Sequence, residues 1–139
     1  MKTMLKAAAI AVCLLPQIAT ADVAEDITDY MGFITYEDGI IVPEQLGQDV
    51  FSSVTFIDTR GAEQFAKETI PGAINIEWRE IPERIDELPE DGMVVLFCNT
   101  GSLSAQAVFA ARLMGRDNVL ILQTGIIGWK QNAAYKPDL

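Results

Sequence analysis

The chain has 139 residues, half of them hydrophobic, with 10 Lys and Arg against 20 Asp and Glu, no His and two Cys. A formal charge of −10 argues against nucleic acid and anionic membrane surfaces as partners. Without His and with so few thiols, the common zinc and transition-metal ligand sets cannot be assembled, nor can Ser-His or Cys-His catalytic pairs. No spaced acidic loop suggests calcium.

At the N-terminus Lys2 and Lys6 precede the apolar run Ala7 to Leu15, Pro16 and the small-residue pattern Ala19-Thr20-Ala21 before Asp22. Residues 1–21 therefore read as a secretory signal peptide. The apolar run is short for a bilayer, and no later stretch approaches the roughly 20 apolar residues of a spanning helix. The expected product is exported, periplasmic in a double-membraned bacterium, and holds no membrane segment. Cys13 leaves with the signal, and Val12 before it suits a lipoprotein cleavage site poorly, so no lipid anchor is expected. Losing Lys2 and Lys6 leaves eight basic against 20 acidic residues, a charge of −12. Cys98 is then the only thiol, in a compartment where structural cysteines are normally paired.

Residues 22–39 carry Val23, Ile27, Tyr30, Phe33 and Tyr36 at irregular spacing, which predicts an N-terminal arm with one helical turn packed on a domain of residues 40–139. Ile40 to Val42 is a short strand ended by Pro43, which suits the first turn of a helix through Glu44 and Leu46. A second strand, Val54 to Ile57, stops at Asp58-Thr59-Arg60, and Ala62 to Lys67 reads as a helix. Ile70-Pro71-Gly72 turns into the strand Ala73 to Ile76, and Ile81 to Leu88 forms an amphipathic turn or two closed by Pro89. The strand Met93 to Phe97 follows, then a helix from Ser104 to Met114 stopped by Gly115, the strand Val119 to Leu122, and a last helix from about Ile126. This alternation predicts an α/β fold with a parallel sheet, in which ligands sit beyond the carboxyl ends of the strands.

Cys98 stands at such an end. By position it is either a nucleophile or a small buried hydrophobe. For the first, the loop Asn99-Thr100-Gly101-Ser102 ahead of an Ala-rich helix gathers backbone N–H groups and a positive helix end around the sulfur, which lowers a thiol pKa. With no His, backbone dipoles and hydroxyls have to activate it. Gly101 suits a position of positive φ or close backbone approach.

Four motifs occur in order: Asp58-Thr59-Arg60 with Glu63 and Phe65; Ile70-Pro71-Gly72-Ala73-Ile74-Asn75; Cys98-Asn99-Thr100-Gly101-Ser102-Leu103-Ser104; and Gly125 with Trp129. The series, from about Ile40 to Gln131, resembles the rhodanese-like sulfurtransferases, and among them the secreted single-domain members. The resemblance implies a five-stranded parallel sheet flanked by helices, and a loop from Cys98 to Leu103 curled with its N–H groups on the sulfur. It implies a cofactor-free transfer of sulfane sulfur through a Cys98 persulfide. The donor would be thiosulfate or an organic or protein persulfide, and the acceptor a thiol such as that of a thioredoxin-like protein. Asn99, Thr100, Gly101, Ser102, Leu103 and Ser104 form the implied substrate loop. Asp58 and Arg60 take a structural role, Arg60 pairing with Glu63 or Asp58, and Trp129 is a packing residue. Arg79 and Lys130 could face an anionic donor at the site mouth, the alternative for both being a solvated surface charge.

The chain departs from the family pattern at Leu103, where many loops carry Arg, at Thr69, where His is frequent, and at Thr124-Gly125, where a Gly-Gly pair is frequent. Losing the loop cation favours a protein or organic persulfide over small divalent anions. Phosphatases of related fold place Arg six residues after their Cys; Ser104 stands there, which removes the clamp for a tetrahedral dianion. A non-catalytic module that binds a partner or relays oxidation state at its thiol is the remaining alternative.

Overall fold

The computed structural model describes residues 22–137; the expected signal peptide and Cys13 lie outside the described residues. Five parallel strands, β1 (Ile40–Ile41), β2 (Thr55–Asp58), β3 (Ile74–Asn75), β4 (Val94–Phe97) and β5 (Val119–Leu122), run in the order β1-β5-β4-β2-β3. β4 is central because every residue of Val94-Val95-Leu96-Phe97 is apolar, which suits a strand covered on both faces. Its side chains alternate between two cores. Val94 and Leu96 join Ile57, Ile76, Ile81, Leu88 and Val119 under one layer, while Val95 and Phe97 join Ile41, Leu46, Phe56, Ile70 and Leu122 under the other.

Helix α4 (Ser102–Leu113) covers the first core through Ala107, Val108 and Ala111, small enough to bring the helix close to the sheet. Helix α5 (Gly125–Asn132) covers the second through Ile126 and Trp129, together with Val50 and Phe51 of α2 (Gln48–Ser53). The parallel crossovers bring the carboxyl ends of β2, β3 and β4 side by side, with Asp58 in register with both Asn75 and Phe97. The residues that follow these three strands therefore meet at one edge.

Several elements differ from the sequence expectation. The arm forms a helix of three turns, α1 (Val23–Phe33), where one turn was expected. Asp22 caps it by accepting from the N–H groups of Ala24 and Glu25. No residue of α1 is fully buried; Ile27 and Tyr30 are half-buried, and Tyr30 docks the helix on α4, its ring meeting Phe109 edge-on at 5.5 Å and its hydroxyl accepting from Arg112 Nε at 3.2 Å. Val23, Ile27 and Tyr30 stand at i, i+4 and i+7 on one face of this helix, a spacing that extends beyond a single turn. Pro43–Gln45 is a single 3-10 turn closed by Gln45 Oε1 on Val42 N at 2.9 Å, and the helical segment comes later as α2. α3 occupies Ala62–Lys67 as expected, and Ile81 to Leu88 is irregular apart from a 3-10 turn at Ile85–Glu87. α4 begins at Ser102, two residues earlier than expected, which places its first turn directly against Cys98.

Candidate active site

The site is built where β4 stops. Gly101 takes φ 101° and ψ −18°, a left-handed conformation that reverses the chain between Cys98 and α4. That reversal turns the Gly101 N–H back onto the sulfur, with N to Sγ at 3.2 Å. The Ser104 hydroxyl lies 3.6 Å from Sγ and 3.1 Å from the Gly101 carbonyl, so its single hydrogen is shared between two acceptors. Burial pushes the Cys98 thiol up and is the largest single influence. The Ser104 amide and hydroxyl and the amides of Thr100 and Leu103 together outweigh it, and hold the thiol below its ordinary range. Cys98 is 3% exposed, and no other cysteine occurs among the described residues.

The loop is fixed from behind by α5. Ile126 N–H donates to the Cys98 carbonyl at 2.9 Å and Ile127 N–H to the Asn99 carbonyl at 3.2 Å. First-turn amides of a helix have no partner inside it, so the Cys98 loop satisfies them and is held in return. The contact demands glycine at 125. A Cβ there would stand 2.4 Å from the Cys98 carbonyl oxygen and 2.6 Å from both the carbonyl carbon and oxygen of Asn99, and Gly125 has φ 58°. Thr124 before it also sits in the left-handed region, at φ 68°. A β-branched residue thus bears left-handed strain immediately before Gly125.

Beside the loop, the fully buried carboxylate of Asp58 accepts from Arg60 Nε at 2.9 Å and Nη2 at 2.6 Å, and from the Thr69 hydroxyl at 2.8 Å. Arg60 pairs with Asp58 rather than Glu63. Its Nη2 also donates to the Glu68 carbonyl at 2.6 Å and its Nη1 to Asn99 Oδ1 at 3.2 Å, which ties the guanidinium to the Cys98 loop. The hydrogen bond to Asp58 raises the Arg60 pKa against its burial, so the cation is permanent. Asn75 Nδ2 donates to the carbonyls of Asp58 and Arg60 and holds β3 against this turn.

A cleft of about 330 Å³ opens over Cys98. Asn99, Thr100 and Leu103 form one wall, Thr59, Arg60, Gly61 and Gln64 another, and Glu77 and Trp78 the third. Leu103 is exposed toward solvent, Ser104 is buried beneath the sulfur, and Ser102 lies outside the cleft with its hydroxyl 3.2 Å from that of Thr100. Arg79 does not line the cleft. Its Nε bonds Glu77 at 3.0 Å, its guanidinium lies 5.9 Å from the Trp78 ring, and its side chain is 72% exposed. Lys130 pairs with Glu68 at 2.9 Å, and Trp129 is buried in the core. Gln64, Glu77 and Trp78 were not singled out from sequence. The strand-end rule that located Cys98 could have found the last two, because they follow β3 as Cys98 follows β4. Among the described residues no three His, Cys, Asp or Glu side chains are grouped to hold a metal ion.

A family model described as the rhodanese-like domain matches residues 42–132. A sulfurtransferase of Allochromatium vinosum is 35% identical over 79 residues, covering 57% of this chain and 74% of that protein. The thiosulfate sulfurtransferase PspE of Escherichia coli K12 is 39% identical over 72 residues, covering 50% of this chain and 69% of that protein. Other relatives are longer, and the chain spans about half of their length or less. The crystal structure of a rhodanese-related protein from Thermoplasma volcanium matches with a TM-score of 0.61 at 26% identity, over 66% of this chain and 90% of that one. The strand order, the Cys98 loop and a match across most of residues 40–132 lead to one conclusion: the chain belongs to the rhodanese-like domain family, with sulfurtransferases among its relatives.

Proposed function

We propose that the protein is a sulfurtransferase of the exported single-domain type, in which Cys98 carries sulfur as a persulfide. The Cys98 thiolate attacks the outer sulfur of a donor R–S–S⁻ or of thiosulfate. The bond between the two donor sulfurs breaks, its electron pair leaves with R–S or with sulfite, and Cys98 holds the new terminal sulfur. An acceptor thiolate, that of a thioredoxin-like protein for instance, then attacks the terminal sulfur and returns Cys98 as thiolate. Neither step needs a general base, because the leaving group departs as an anion and the attacking group arrives as one.

The observation that carries this reading is the Gly101 N–H aimed at Sγ from 3.2 Å, at the floor of an open cleft. A donor fixed before reaction stabilises negative charge on the sulfur with no reorganisation when charge moves to the terminal atom. The relatives named as sulfurtransferases support the same chemistry.

Mass spectrometry of the purified protein after exposure to thiosulfate or polysulfide tests it. The expected result is one added sulfur, removable by a small thiol and absent in Cys98→Ser. That variant should fold, with a stability change of about 1 kcal/mol or less, since the substitution is nearly isosteric. A thiol that takes no sulfur from either donor would instead favour a binding or relay module.

A further inference from the structure

Resting on the transfer chemistry proposed above, we infer that the cleft selects against doubly charged sulfur donors and for a sulfane sulfur carried on an apolar leaving group, with Glu77 and Trp78 setting that preference. Arg60 is the only cation among the residues lining the cleft, and four of its five N–H donors are already committed. Nε and Nη2 are spent on Asp58, Nη2 also on the Glu68 carbonyl, and Nη1 reaches Asn99. Since Asp58 is fully buried, the two form an internal ion pair that leaves an incoming anion one remaining Nη1 N–H. On another wall stands the Glu77 carboxylate. Both of its oxygens accept from Arg79 Nε, at 3.0 and 3.1 Å, and Arg79 is largely solvated and outside the cleft lining, so of this pair only Glu77 lines the cleft. An attacking Cys98 thiolate adds a second negative charge, and a dianion entering the cleft is repelled from two sides. The apolar surface available is the Trp78 ring and the exposed Leu103 side chain, against which a hydrocarbon leaving group would rest.

A matched pair of donors isolates the effect. Thiosulfate and benzenethiosulfonate carry the same outer sulfur on a sulfonyl sulfur, but the second has a phenyl ring in place of one anionic oxygen. With either donor the Cys98 thiolate forms a bond to the outer sulfur. The sulfur–sulfur bond to the sulfonyl group breaks, and its electron pair leaves on sulfite or benzenesulfinate, with no proton or outside oxidant required.

The readout is the second-order rate of Cys98 persulfide formation with each donor, divided by the rate of a free small thiol with the same donor. The wild-type protein should favour benzenethiosulfonate by about tenfold on this scale, and added salt should narrow the gap by screening thiosulfate repulsion. Glu77→Gln should raise thiosulfate relative to benzenethiosulfonate by about tenfold, because it removes the carboxylate and frees Arg79. Trp78→Ala should shift the ratio the same way by slowing the aromatic donor. The salt series on the wild type reads the same repulsion should either variant fold poorly. A normalised ratio near one that neither salt nor Glu77→Gln moves would overturn the inference while leaving sulfur transfer intact. A protein that loads from neither donor would overturn the transfer chemistry, and the inference with it.

Discussion

At the scale of single residues the chemistry turns on how the Cys98 thiol is made more acidic without a base. Burial opposes the charge and the converging amides and Ser104 hydroxyl favour it, and together they hold the thiol pKa below its ordinary value. Persulfide formation should therefore rise with pH through a midpoint below the free-thiol range. Ser104→Ala removes one hydrogen bond to the sulfur and should move that midpoint up. Rates of persulfide formation across a pH series check this, and an unmoved midpoint would assign the whole effect to the backbone. The same shift has a consequence for stability. The folded value lies below the unfolded one, so between the two the unfolded chain binds the proton more tightly. Stability from this group rises with pH across that interval and is lost as pH falls through the folded value. Arg60 contributes differently, as a fixed strut. Its fork spans Asp58, Glu68 and Asn99, and so joins the turn after β2 to the loop after β4.

At the scale of elements the decisive contact is between the Cys98 loop and the first turn of α5. Each supplies what the other lacks: the helix has unpaired amides, and the loop has carbonyls that must point away from the sulfur so that its amides can face it. Gly125 allows this approach. Gly125→Ala would drive a methyl group into the Cys98 and Asn99 peptides and force a side chain into a left-handed backbone. The expected cost is about 1–3 kcal/mol from overpacking, with strain added. Denaturant titration measures that cost. Persulfide formation, measured under conditions where the variant is fully folded, should also fall, because the peptides displaced are those that cradle the sulfur. Normal kinetics in a folded Gly125→Ala protein would show that the loop does not depend on α5 for its shape.

At the scale of the whole molecule, the formal charge of −10 and the lightly attached α1 are the features outside the site. Asp22 stands at the expected cleavage point and is also the N-cap of α1, so processing after Ala21 would leave the helix with its cap intact. The proposed export therefore predicts a mature chain beginning at or near Asp22. N-terminal sequencing of protein recovered from the producing cell checks it, and recovery of the chain still starting at Met1 would remove both the export proposal and the argument from an oxidising compartment.

The sequence by itself determined the elements whose signal is local and apolar. β4 and β5 could be read because a strand buried on both faces is a continuous hydrophobic run, and α3 because it lies between the strand end at Asp58-Thr59-Arg60 and the turn at Ile70-Pro71-Gly72. Cys98 and its loop were legible for a related reason: nucleophile, left-handed glycine and Ser104 lie within seven consecutive residues, so their relation is set by one turn of chain. Tertiary structure alone decided what faces that loop. Glu77 and Trp78 follow β3, Arg60 follows β2, and the capped amides of Ile126 and Ile127 follow β5, each far from Cys98 in sequence. No local pattern encodes such meetings. They arise because parallel crossovers return every strand to the same edge, so that residues unrelated by spacing share one cleft. For α1 and α2 the signal was weaker: α1 repeats Val23, Ile27 and Tyr30 on one face but buries none of them fully, and α2 is six residues long with only Val50 and Phe51 packed on the core.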